Sequence, residues 1–324
     1  MKNIKTYIDY GKSFGMNVFL AKAVRKMTGS NTTRLGKWFA PCYDRIIIDF
    51  LMKRVVNKID TQRIANRSTM QDQTPKIIWM MWWQGFDQAP EIVKMCISQI
   101  CRQNKDCTIH FIDQHNYRDY VHIPEKMVSK AQSGEISYAH LSDLIRCRLL
   151  ARWGGVWMDA TLFVTGPLDE GVFRTHFYSV NNGVVTGDPS YGRWTNFFMA
   201  TPSGSPLFLF LVEFLETYFE LFNQTIDYFI TFYAMIIAGE LFPDVKEWME
   251  SIPVNNRLCF HLCPMLNEDY TKGQDYFNSG TTIFKLSWHG GNWKYLWKDA
   301  LLKEKDGRET IYGYMLRTCG VSGL

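Results

Sequence analysis

The chain has 324 residues, 46% of them hydrophobic and 21% charged, with eight cysteines and a net charge of +4. That apolar content excludes a disordered or fibrous protein and suffices for one large domain or two small ones. The longest apolar run, Tyr228 to Ala238, falls short of the roughly 20 residues that cross a bilayer, and no apolar leader with a cleavage site opens the chain, so no transmembrane helix is expected.

The charge is concentrated at the front. Residues 1–70 carry 14 Lys and Arg against 4 Asp and Glu, a surplus of +10, which leaves −6 for the remainder. Such a segment implies an anionic partner; a membrane surface fits better than nucleic acid, because no base-reading motif accompanies it. It reads as helices broken near Gly29-Ser30-Asn31 and at Pro41. Ile46, Ile47, Phe50, Leu51, Arg54, Val55 and Ile59 form an apolar stripe with basic flanks. That stripe suits either a helix packed on the main domain or one lying on a membrane or a partner.

Gln71–Pro75 marks a boundary, and Lys76–Trp83 reads as a buried strand running into Gln84-Gly85. Ala89-Pro90-Glu91 opens a helix to about Gln103, and Cys107–Asp113 is a second strand ending in a carboxylate. This is the strand–helix–strand rhythm of a parallel sheet. Asp113 stands where it can meet a nucleotide's ribose or base, or merely cap Asn116-Tyr117. A further helix runs from Ile123-Pro124-Glu125 to Gly134.

The most informative stretch is Ser137–Val164. Leu141, Ile145 and Leu149 recur at helical spacing behind an N-capping Ser137, and Gly154-Gly155 supplies a left-handed stop. Val156–Val164 then reads as a strand. The helix brings Asp143 and Arg146, one turn apart, beside the acid at Asp159. The bland alternative for the helical pair is a surface ion pair.

Beyond it, Gly166-Pro167-Leu168 turns the chain, Phe177–Val185 gives more strand with Asn181-Asn182 between its halves, and Leu207–Phe222 is a long core helix. The eight cysteines form no CxxC pair and no framework, the usage of a reducing interior; Cys259-Phe-His-Leu-Cys263 is half a zinc site without a second pair. The 11 Trp suit stacking on bases or sugars as well as an aromatic core. Three segments emerge: a basic helical extension (1–70), an α/β domain (71–300) and a polar tail (301–324).

Ser142-Asp143-x-x-Arg146, then Trp153-Gly-Gly-Val-Trp-Met-Asp-Ala-Thr161, resembles the core of the DXD-type sugar transferases, and in detail the capsular polysaccharide synthesis proteins, a bacterial branch of the glycosyltransferase 32 family. The resemblance runs from about Thr74 to about His289. It implies a GT-A-like fold: a mixed, mainly parallel sheet flanked by helices. It also implies a bacterial cytoplasmic enzyme, peripheral to the inner membrane, that binds a nucleotide-sugar donor, a UDP-sugar foremost, and a glycan or lipid-linked glycan acceptor. In the related families an indole at the end of the first strand stacks on the donor's uracil; Trp83 with Gly85 is the match, and Trp82 the alternative register. Asn196 matches an amide position, Asp227 an acid before a helix that orients the acceptor or caps that helix, and His289 an imidazole that completes the metal shell.

The chemistry places demands of its own. A departing diphosphate needs cationic support, and Mn²⁺ or Mg²⁺ with oxygen ligands would supply it. Asp159 and Thr161 stand where such an ion binds, with a hydroxyl in place of the usual second acid. Asp143 is then expected on donor sugar hydroxyls and Arg146 on diphosphate or sugar oxygens. The resemblance implies a retaining transfer, for which front-side attack is the favoured route. The alternative reading is a non-catalytic nucleotide-sugar or glycan-binding member of the same machinery.

Overall fold

The basic front is helical, as its periodicity predicts; the break expected at Gly29 holds, the one expected at Pro41 does not occur, and Gly15 adds another. The computed structural model describes residues 4–29, 33–184, 187–291 and 295–320; helix α1 spans Ile4–Thr28 and α2 spans Arg34–Arg54. Ser30 and Asn31 of the predicted break lie outside the described residues. Gly15, at φ +82°, interrupts α1. Helix α2 starts at Thr33, whose hydroxyl accepts from the Gly36 amide at 2.9 Å, and it runs on through Pro41 instead of stopping there. The proline forfeits one backbone bond, yet Ile47, Leu51 and Val55 beyond it are fully buried. At about 1.5–3 kcal/mol for each such side chain, packing outweighs the local break. The apolar stripe therefore faces inward, sharing a core with Phe14 and Phe222, and α3 (Thr61–Arg67) joins the same layer. The front is part of the main body of the protein, not a segment apart from it.

Strand β1 (Ile77–Met81), helix α4 (Glu91–Gln103) and strand β2 (Thr108–Ile112) form the expected unit, with β1 and β2 parallel from Ile77 opposite Thr108 to Met81 opposite Ile112. Two short helices, α5 (Tyr117–Tyr120) and α6 (Glu125–Gln132), lead to α7 (Tyr138–Trp153). Ser137 caps α7 by accepting from the His140 amide at 3.3 Å. At Gly154 and Gly155, φ is +66° and +94°, and a Cβ on either would meet backbone atoms at 2.5 and 2.6 Å. Only glycine fits so tight a passage into β3 (Gly155–Met158), which lies parallel to β1.

Two predicted strands are corrected. Val156–Val164 is not continuous: Asp159-Ala160-Thr161 is a turn closed by the Leu162 amide on the Asp159 carbonyl at 2.9 Å, and β4 (Leu162–Val164) departs into a separate ribbon. A run with no Gly or Pro gives no local sign of such a turn; the partners found by each half decide it. Phe177–Val185 shrinks to β5 (Tyr178–Ser179), because the side chains of Asn181 and Asn182 accept from the amides of Gly183 and Val184 at 3.0 and 2.8 Å and curl the chain away. Val185 lies outside the described residues. Strand β6 (Phe198–Thr201) pairs antiparallel with both β3 and β5, completing a five-stranded sheet of order β2-β1-β3-β6-β5 in which only β6 runs against the others.

Helices α8 (Pro206–Leu221), α9 (Ile230–Leu241) and α10 (Pro243–Glu250) follow. The first two pack with α7 and the front helices on one face of the sheet, against Trp79, Met81 and Trp157. After the short α11 (Gln274–Phe277), β7 (Ile283–Lys285) pairs antiparallel with β4. The expected polar tail is instead a small ribbon, β8 (Glu304–Lys305) and β9 (Arg308–Glu309), and a helix, α12 (Ile311–Cys319). Ile311 and Met315 of α12 are fully buried with α4 on the other sheet face, opposite Ile78, Met80 and Val156. Two cores thus sandwich a mixed α/β sheet, and the alternation along β1 assigns each residue to one of them.

Candidate functional site

In a parallel sheet, loops leaving the carboxyl ends of adjacent strands converge on one edge. Here β2 delivers Asp113, β1 delivers Trp82 and β3 delivers Asp159. The same edge receives Asp143 and Arg146 from α7 and Asn196 from the segment before β6. The structure brings together Asp143, Arg146, Asp159, Thr161 and Asn196, and adds Lys285 from β7.

Arg146 is the hub. Its guanidinium lies 3.3 Å from Asp143 Oδ1 and 3.4 Å from Asp159 Oδ1, donates to the Asn196 carbonyl at 2.5 Å, and covers the Trp157 ring at 4.7 Å from its centroid. Asp143 has its second oxygen on the Thr231 hydroxyl at 2.7 Å, while Asn196 Nδ2 reaches Asp143 Oδ1 at 3.4 Å. Asp143 and Arg146 are each only 6% exposed, so protein groups, and not solvent, surround them. Asp159 is the accessible acid: 24% of its side chain is exposed. The Trp157 indole donates to its Oδ1 at 2.9 Å and Lys285 Nζ to its Oδ2 at 3.2 Å. Burial works to raise the Asp159 pKa, but Lys285 and Arg146 outweigh it and hold the carboxyl below its ordinary range. Lys285 also donates to the Thr161 hydroxyl.

The remaining sequence-predicted residues lie around this cluster or away from it. Trp83 is buried between Tyr117 and Tyr138, its ring centroid 5.5 and 5.7 Å from theirs. Trp82 is half-buried on the other side of the chain, edge-on to the exposed Trp288 at 5.9 Å. Asp113 Oδ1 accepts from the amides of His115 and Asn116 at 2.7 and 3.1 Å, the capping role, and its Oδ2 faces Gly85, whose φ is +90°. Asp227 belongs to another cluster: it accepts from the Tyr43 hydroxyl at 2.7 Å and the Phe229 amide at 2.9 Å, tying α2 to the entrance of α9. His289 is exposed and engaged with Ser287 and the Trp288 ring.

Sequence reasoning missed Lys285 and Thr231. Lys285 carried one signal, a lone charge inside the apolar run Ile283-Phe284-Lys285-Leu286. Two asparagines support it: Asn256 Oδ1 accepts from the Thr282 and Ile283 amides at 3.1 and 3.0 Å, and Asn255 Nδ2 donates to the Ser179 carbonyl at 2.9 Å, so the Asn pair ties β7 to β5. A groove of about 410 Å³ lined by Asp269, Lys272, Lys305 and Arg308, among others, shares no residue with the cluster.

Residues 35–295 match a family model described as capsular polysaccharide synthesis protein. The chain is 25% identical over 166 residues to the O-glycosyltransferase braB of Annulohypoxylon truncatum, an alignment covering 47% of this chain and 38% of that relative. Among solved structures, the PaToxG Glycosyltransferase overlaps 65% of this chain and 89% of that one, at 13% identity and a TM-score of 0.36.

Proposed function

The chain belongs to the capsular polysaccharide synthesis protein family, and on that premise we propose that it is a glycosyltransferase of the GT-A type, moving a sugar from a nucleotide-sugar donor, a UDP-sugar foremost, to a growing surface polysaccharide, free or lipid-linked. One observation carries the reading: a partly exposed carboxylate at the carboxyl edge of the parallel strands, Asp159, is braced by a buried Asp143–Arg146 pair and flanked by a second cation. Asp159 meets the donor, while Arg146 and Asp143 hold its orientation and are positioning residues. Trp82 and Asp113 lie at the ends of the neighbouring strands, where a base and ribose would rest. The favoured transfer is front-side: the sugar–phosphate bond breaks toward the phosphate oxygen, the acceptor hydroxyl bonds to the anomeric carbon, and its proton passes to the departing phosphate. The protein contributes positioning and a fixed field.

Mn²⁺ or Mg²⁺ would act there as a Lewis acid, held by one or two protein oxygens, with phosphate oxygens and waters completing its shell. The residues as arranged do not fit such an ion. Of the three side-chain oxygens of Asp159 and Thr161, an ammonium already bonds Asp159 Oδ2 and the Thr161 hydroxyl while Trp157 and Arg146 engage Asp159 Oδ1, and among the described residues no three His, Cys, Asp or Glu side chains gather as a metal site.

The corner where α1 meets α2 fits the inner face of a bacterial membrane. Arg25 Nη1 reaches the Gly36 carbonyl at 3.3 Å there, and Met27, Leu35 and Trp38 stand out beside the exposed Lys26, Arg34 and Lys37. Exposed apolar side chains ringed by cations match an anionic bilayer. Among the described residues no helix is long and apolar enough to cross one.

The test of the transferase reading is donor turnover across a panel of UDP- and GDP-sugars. Wild type turns over at least one donor and Asp159→Asn loses at least about a hundredfold in kcat, the scale of a lost electrostatic contact in a transition state. Equal turnover by both would contradict the role of Asp159. Binding without turnover would favour the non-catalytic reading, which Thr161 in place of a second acid supports.

A further inference from the structure

We propose that Lys285 is the built-in cation of this site, its ammonium receiving the donor's diphosphate at the place where a divalent metal would otherwise bind. The inference rests on the glycosyltransferase reading above. Lys285 Nζ bonds both residues that a metal would use: Asp159 Oδ2 at 3.2 Å and the Thr161 hydroxyl. A metal and an ammonium cannot share that space.

The placement is built by the backbone. Lys285 stands opposite Leu162 in the β4–β7 ribbon, its own amide donates to the Cys259 carbonyl at 2.8 Å, and the Leu286 amide donates to the Thr161 carbonyl at 2.9 Å. Asn256 pins the two residues that precede Phe284, and the Phe197 ring lies 5.5 Å from Nζ. A cation held this way needs little reorganisation when charge develops beside it.

The charge balance gives Thr161 a reason. Asp143 and Asp159 face Arg146 and Lys285, two against two; a carboxylate at 161 would make three against two and quench the field. Thr161 accepts a hydrogen bond from the ammonium without adding charge. Of the two cations, Lys285 has 24% of its side chain exposed and Arg146 only 7%, so the lysine is the one a ligand reaches. Two of its three donors are engaged, and the third is available to a phosphate oxygen. In the transfer, Lys285 stays protonated. The electron pair of the sugar–phosphate bond goes to the phosphate oxygen, which also takes the acceptor's proton, and the ammonium stabilises that oxygen by charge-assisted hydrogen bonding.

Calorimetric titration of the full chain with UDP, in EDTA and in Mn²⁺, tests this, with Lys285→Met and Lys285→Arg alongside and melting curves to verify folding. Wild type is expected to bind UDP with the same Kd in both buffers, within about threefold, and Lys285→Met about tenfold or more weakly in EDTA, the scale of one charge-assisted bond, while Lys285→Arg keeps most of the affinity. UDP binding that needs Mn²⁺, vanishes in EDTA and is unchanged in Lys285→Met would overturn the inference and leave the transferase reading standing. If neither UDP nor GDP binds wild type in either buffer, both fall together. Should Lys285→Met fail to fold, the EDTA comparison on wild type and the arginine variant still decide.

Discussion

Asp143 and Arg146 are spaced as an ordinary helical ion pair, and on an exposed face that spacing contributes only ~0.3–0.5 kcal/mol. Burial changes the arithmetic. With both groups 6% exposed, removing one leaves the other's charge without its partner in a place water hardly reaches. Asp143→Ala also strips the Thr231 hydroxyl of its acceptor and Arg146 of one carboxylate. We expect it to cost about 3 kcal/mol in urea unfolding, read as a fall in midpoint at unchanged slope. A loss below about 1 kcal/mol would place the pair among surface ion pairs after all. The two tryptophans show how far the sequence could be read at this scale. Residues 79, 81 and 83 share one side of an extended chain, and 78, 80 and 82 the other. That parity sends Trp83 into the core with Trp79 and turns Trp82 to the opposite side, partly buried against the second core, a difference that strand alternation alone makes legible.

The unit from Ser137 to Met158 was legible because all its signals are local: a cap, a helical repeat, two glycines and an apolar run. The turn at Asp159–Thr161 was not, since nothing within it breaks a strand and its cause is distant: β3 finds β6, while β4 finds β7. Lys285 was hidden for the same reason, arriving at Asp159 from 126 positions along the chain. The front helices were half legible: their periodicity was plain, but it could not tell a stripe buried on the protein from one laid on a bilayer. The side chains that remain outside are others, Trp38 at 79% and Met27 at 78% exposed. Because α1 and α2 share the core with Phe222, deleting them would unfold the layer, and point substitutions are the fairer probe. Trp38→Ala with Lys37→Gln is expected to lower flotation with anionic vesicles by about tenfold, at roughly 1 kcal/mol for the charge and the rest from the indole. Flotation equal to wild type would remove the membrane role of this corner.

At the scale of the molecule, two hydrophobic cores hold a five-stranded sheet between them, and the cluster forms where the sheet's parallel strands end. The fold class followed from the alternation of strand and helix patterns. What did not follow was the part built from long-range pairings: the reversed β6, the β4–β7 ribbon, and the burial of α12 against α4, whose polar neighbours in sequence masked its apolar face. Since the cluster joins the turn after β3 to β7, a diphosphate bound there should quiet both segments at once. Hydrogen–deuterium exchange of the full chain with and without UDP reads this directly. The account predicts slowed exchange in peptides covering Asp159–Leu162 and Ile283–Leu286, with none at the groove of Asp269 and Arg308; protection confined to that groove, or absent from both cluster peptides while UDP is bound, would contradict it.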